Sequence, residues 1–208
     1  IASTLEESYT KHPSQKALFS IARNYYASGS RGAGQTVRYA LEAARSAQSI
    51  FAHGQVFEFL GMVDECMDFI DIGREQTNLA SVRKQTHLLY ITERVASGHF
   101  GKGAERLKQY MDESQDHDNE VLRCGLEVCA GHIRENGNAA RAIYKPYVDS
   151  IGEILRSSDD PYDVAFAGLF GAQFAPDRDE AIQKLRHAIE KCKACDHGRA
   201  DVLMARLF

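Results

Sequence analysis

Residues 83–107 read RKQTHLLYITERVASGHFGKGAERL. His87, Tyr90, Ile91 and Arg94 recur at helical spacing, Gly98 interrupts the run, and Phe100 and Leu107 resume it on the far side. The pattern is one helix, a glycine able to take a left-handed turn, and a second helix. The same offsets counted from Gly137 give Leu126, Cys129, Ala130 and Ile133 before the turn and Ala142 after it. From Gly61 they give Ile50, Gly54 and Phe57, then Ile70. Near the end, Ala181, Leu185 and Ala188 in DEAIQKLRHAIEKC repeat the second-helix spacing behind a breaker at Ala175-Pro176.

The same punctuation reaches back to the start. Residues 16–28 (KALFSIARNYYAS) place Leu18, Ile21, Ala22 and Tyr25 on one helical face, and the glycine-rich run 29–34 ends that helix. Turn markers from Gly29 onward are spaced by 32, 37, 39 and 38 residues, near the roughly 34 of tetratricopeptide helix pairs. Only four prolines occur and no segment alternates as a strand does. The expected class is all-α, with antiparallel helix pairs stacked as a tetratricopeptide-like α-solenoid across 1–208. The first two pairs conflict, because nothing breaks the alanine-rich segment 35–52; it reads equally as one long helix or as two. Stacked pairs bury apolar faces that neither helix buries alone, and the resulting concave surface is suited to binding. A compact helical bundle is the alternative with the same periodicity.

A chain of 208 residues with 44% hydrophobic and 26% charged content is expected to fold around a core. A net charge of −4 and a pI near 6.1 give no electrostatic footprint for nucleic acid. Neither a membrane span nor a signal peptide is legible. Five scattered cysteines do not make a disulfide framework and suit a reducing compartment, so the expected location is the cytoplasm. The chain begins at Ile1 rather than Met, from which a preceding segment of a longer protein is expected.

Motifs for chemistry are incomplete. Cys192 and Cys195 with His197 form one CxxC-type cluster, yet a structural zinc needs four ligands, and Cys124, Cys129 and His132 read as packing on another helix. The acidic run 112–120 alternates like a calcium loop but has His117 and Arg123 where glycine and glutamate are required. Gly29–Gly34 and Gly101–Gly103 lack the strand and the GK[ST] of a phosphate loop. No nucleophile stands beside a recognisable base, so no enzyme activity, metal or cofactor is expected, a helical enzyme remaining the remote alternative.

Groove-facing positions of the first helices make sharper use of residues. Repeat geometry assigns Lys16, Phe19, Arg23 and Tyr26, then Gln48, Gln55 and Glu58, then Gln85 and Thr92, then Glu127 and Arg134 to the concave face. Arg23, Tyr26, Gln55, Glu58, Gln85, Thr92, Glu127 and Arg134 are the candidate peptide-binding set. Arginine grips a carboxylate with two hydrogen bonds, amides and hydroxyls bond a peptide backbone, and aromatics line apolar pockets. An ordinary solvated face is the competing reading of the same charges, and a scaffold that binds a large protein is the competing function.

The run SYTKHPSQKALFSIARNYY from Ser8, VRYALEAARSAQSIF from Val37, RKQTHLLYITERVASGHF from Arg83 and HIRENGN from His132 resembles the arbitrium receptors of temperate phages. More broadly, these segments are similar to the tetratricopeptide peptide-sensing regulators of quorum sensing in Gram-positive bacteria and their phages. That resemblance implies a homodimeric receptor for a short signalling peptide, acting in transcription regulation. It also implies an N-terminal helix-turn-helix in the DNA-binding members, which is not visible in residues 1–208.

Overall fold

The structure, a computed structural model, describes residues 2–11, 13–70, 76–113, 117–175 and 177–207. Among these residues it has ten α-helices, one short 3-10 turn and no strand. The all-α class follows from the pervasive helical period. No helix among the described residues is long and apolar enough to cross a membrane. The chain divides into two compact units, residues 1–93 and 94–208.

The first unit contains α1 (Ala2–Lys11), α2 (Gln15–Ala27), the 3-10 turn (Gly29–Gly32), α3 (Ala33–Ser49), α4 (His53–Met67) and most of α5 (Gln76–Ala96). Ser14 caps α2 by accepting from the Ala17 amide, and Gly29, at φ +65°, ends it as the sequence predicts. A methyl on Gly32 would stand 2.4 Å from the Tyr25 carbonyl oxygen, so only glycine lets α3 turn back this tightly. Helix α3 then packs between α2 and α4. Ala40, Ala43, Ala44 and Ala47 are fully buried in it, because two helices approach this closely only over small side chains. Phe19 meets Phe59 with ring centroids 4.8 Å apart, and Ile21, Val56, Leu60 and Val63 complete the core.

One open alternative is resolved and one expectation is corrected by the helix boundaries. The alanine-rich segment is a single helix that stops at Ser49, and the break before α4 falls at residues 50–52, where Phe51 takes φ +57°. Gly61 therefore marks no turn; it lies inside α4. Of the packing positions counted from it, Ile50 is 54% exposed and Gly54 exposed, whereas Phe57 and Ile70 are half-buried. A bulky residue in the left-handed region is uncommon, so no sequence pattern announces this break.

Helix α1 is strapped to α2 and α3 through carboxylates. Tyr25 donates to Glu6 at 2.6 Å, Tyr39 donates to the other Glu6 oxygen, and Tyr9 donates to Glu42 at 2.8 Å. Burial and then the bond to Glu6 push the Tyr39 phenol from 10.0 up to about 12. The folded state holds that proton more tightly than the unfolded chain does. Its contribution to stability is therefore intact below pH 10 and is lost as pH rises to about 12. Melting curves across this window should fall steeply for the wild type and less steeply for Tyr39→Phe; parallel falls would contradict the assignment.

The second unit contains the end of α5 with α6 (Phe100–Glu113), α7 (Asn119–Arg156), α8 (Pro161–Gln173), α9 (Arg178–Cys192) and α10 (His197–Leu207). Gly98, at φ +70°, makes the predicted turn before α6. Gly137, at φ 62° and ψ −140°, breaks α7 into arms 119–136 and 138–156. Leu126, Cys129, Ala130 and Ile133 are buried as the repeat spacing predicts, whereas Ala142 is exposed. Ala175 lies in the expected break between α8 and α9, and Pro176 lies outside the described residues. That combination of φ and ψ at Gly137 is close to glycine-only territory, where strain costs about 1–3 kcal/mol. Gly137→Ala should lower the melting temperature by several degrees, and an unchanged or raised value would show that the arms are not set by this residue.

Cross-helix contacts fix the order. Gly125 and Gly131 in the first arm of α7 face Leu107 and Phe100, so α6 runs antiparallel to that arm. Asn119 and Arg123 both reach Asp163 at the start of α8, so α8 runs parallel to the first arm; Arg141 donates to the Phe174 carbonyl at 3.1 Å, so the second arm returns antiparallel. Gly168 fits against Ala188 and brings α9 alongside α8.

Candidate functional site

Seven residues of the second unit enclose a pocket of about 310 Å³: Val95, Phe100, Glu127, Arg134, Leu169, Phe170 and Gln173. Its walls follow from helix order, since the parallel first arm of α7 and α8 leave a furrow that the start of α6 closes. Glu127 and Arg134 are seven residues apart, two turns on one face of the arm. Phe100 is held by a glycine slot, because a methyl on Gly131 would stand 2.4 Å from its ring. Phe170 stacks on Phe166 at 4.7 Å, which fixes the opposite wall. The result is an apolar slot with one cation, one carboxylate and one amide around it. Arg134 is exposed, and its guanidinium has no ion-pair partner among the described residues. Such a slot takes an apolar side chain while its polar groups bond a backbone or a charged end.

The other predicted residues belong to the first unit, and most of them are engaged within it. Arg23 and Glu58 form a two-pronged ion pair, Nε to Oε1 at 2.7 Å and Nη2 to Oε2 at 3.0 Å. Each holds the other's charge in place, so the Glu58 carboxyl is lowered and the Arg23 guanidinium raised from their ordinary values. Tyr26 donates to Glu65. Gln85 accepts from Arg45 at 2.6 Å, and Thr92 donates to its own helix at Leu88. Gln48 donates to the buried Glu93 at 3.3 Å. Gln55 is half-buried, Lys16 is exposed, and Phe19, assigned to the groove, lies in the core instead. The first-unit set thus contains one ion pair and one hydrogen bond joining α2 to α4, Arg23 to Glu58 and Tyr26 to Glu65.

Cysteine chemistry stays quiet. Among the described residues no three His, Cys, Asp or Glu side chains gather as metal ligands. The Cys195 thiol points to the Lys191 carbonyl at 3.5 Å, and the His197 side chain lies outside the described residues. Burial pushes the Cys129 thiol up to about 12, away from the thiolate that a metal needs. Residues 114–116 of the acidic run also lie outside the described residues, and Asp118 caps α7 by accepting from the Glu120 and Val121 amides. Sequence reasoning missed the apolar wall of Leu169 and Phe170, because PYDVAFAGLFGAQ is apolar all round and shows no face.

No family model, curated protein or solved structure matches the chain.

Proposed function

We propose that this chain is a ligand-binding helical domain that holds a short peptide, serving as the sensing part of a dimeric quorum-sensing transcription regulator. One observation carries the peptide reading: Glu127 and Arg134, chosen from repeat spacing, line one apolar pocket with Phe100, Leu169 and Phe170. The chemistry suits a peptide because an apolar side chain and a polar backbone must be met together. The resemblance to arbitrium receptors supports the regulatory part of the reading. A tetratricopeptide-like solenoid belongs to the same proposal, supported by α6 running antiparallel and α8 parallel to the first arm of α7. A scaffold that binds a folded protein is the second reading, favoured by the exposed Ile50 and Phe51, the latter 78% exposed.

Screening short synthetic peptides by melting temperature tests the proposal. A peptide present at one hundred times its Kd should stabilise the fold by about 2.7 kcal/mol. A screen in which no peptide moves the melt, while a protein is captured through Phe51, would favour the scaffold.

A further inference from the structure

We infer that the second unit carries a separate site for an unbranched aliphatic acid. The observation is a trench of about 350 Å³ between the second arm of α7, α8 and α9. One wall is the stripe Arg141, Lys145, Val148, Gly152 and Arg156, which recurs at helical spacing along the arm. From Arg141 to Arg156 it covers about 22 Å at 1.5 Å per residue. Spread over that length, the volume suits an extended chain better than a compact ligand. Leu126, Val148, Gly152 and Ala167 make the middle of the trench apolar.

The two ends differ. At one, the polar groups already satisfy one another: Arg141 donates to the Phe174 carbonyl at 3.1 Å, Lys184 pairs with Glu180 at 2.6 Å, and Lys145 pairs with Asp149. At the other, Arg156 has no carboxylate partner among the described residues. Its guanidinium atoms lie 3.6–3.9 Å from where a Gly152 methyl would be, so the charge hangs over a floor without a side chain. A carboxylate seated at Arg156 would send its alkyl chain over Gly152 and along Val148 towards Phe174. This trench uses Ala167 and Gly171 of α8 with Phe174 just past its end, whereas the peptide pocket uses Leu169, Phe170 and Gln173. The two sites therefore stand or fall independently.

Calorimetric titration with decanoate and with decanol, both below their aggregation limits, tests the inference. The wild type should bind decanoate saturably, and Arg156→Gln should weaken it about tenfold, the loss of one charge-assisted contact. Decanol, lacking the charge, should bind both proteins alike. Gly152→Leu, if circular dichroism shows it folded, should abolish decanoate binding by filling the floor. Absence of saturable decanoate binding would overturn the inference. So would equal decanoate affinity in wild type and Arg156→Gln, an equal loss for both probes, or undiminished binding to folded Gly152→Leu. Arg156 is exposed, so its glutamine variant keeps the test decisive if the leucine variant does not fold.

Discussion

Replacing Asp163 by alanine is expected to lower the unfolding free energy of the second unit by about 3 kcal/mol. Asp163 is 2% exposed and accepts from Arg123, from Asn119 Nδ2 at 2.6 Å and from Ser158 Oγ at 2.8 Å. It is the one carboxylate that ties the start of α8 to the start of α7 in this network. Removing one partner of a buried pair leaves an uncompensated charge, worth about 3–5 kcal/mol; the Arg123 side chain keeps 19% exposure, which places the expectation at the lower end. Asn119 and Ser158 lose an acceptor at the same time. The melting temperature should fall on the order of 10 °C. Arg199→Ala is the contrast. Its pair with Asp160 is 42% and 36% exposed, so its loss should cost less than about 1 kcal/mol. Similar costs for the two variants in urea unfolding would refute the ranking.

Phe166→Ala should cost a comparable amount, about 3–5 kcal/mol. The ring is 1% exposed, stacks on Phe170 at 4.7 Å and lies 6.1 Å from Tyr162. Truncation loses the transfer free energy of the ring and leaves a cavity beneath the pocket wall. The midpoint should drop without a change in the denaturant slope, since the surface exposed on unfolding barely alters. A cost below about 1 kcal/mol would mean that α8 is not packed as described. Phe166→Leu should recover most of the loss, because it restores most of the volume.

How much was legible depends on what each residue does locally. Gly29, Gly98 and Gly137 could be read as turns because each takes a positive φ that other residues avoid. Gly61 misled for the converse reason: a helix tolerates glycine at about 1 kcal/mol, so the residue type alone does not make a break. Phe51 supplied the real break with no signature at all. The shared face of Glu127 and Arg134, which brings both to one pocket, was legible because two-turn spacing on one helix fixes it. Arg23 and Glu58 are 35 residues apart, and their mutual neutralisation depends on how α2, α3 and α4 stack. Local period says which face a residue occupies, but not which partner waits across the gap.

The pocket beside Glu127 and Arg134 is proposed to hold a peptide. Titrating wild type and Arg134→Ala with the peptide that most raises the melting temperature tests it directly. Alanine preserves the helix and removes a bidentate donor, so affinity should fall about 10- to 100-fold, a loss of about 1.5–3 kcal/mol, while the melt without peptide stays put. Equal affinities, within about 0.5 kcal/mol as for an ordinary surface residue, would remove Arg134 from the site and contradict the account.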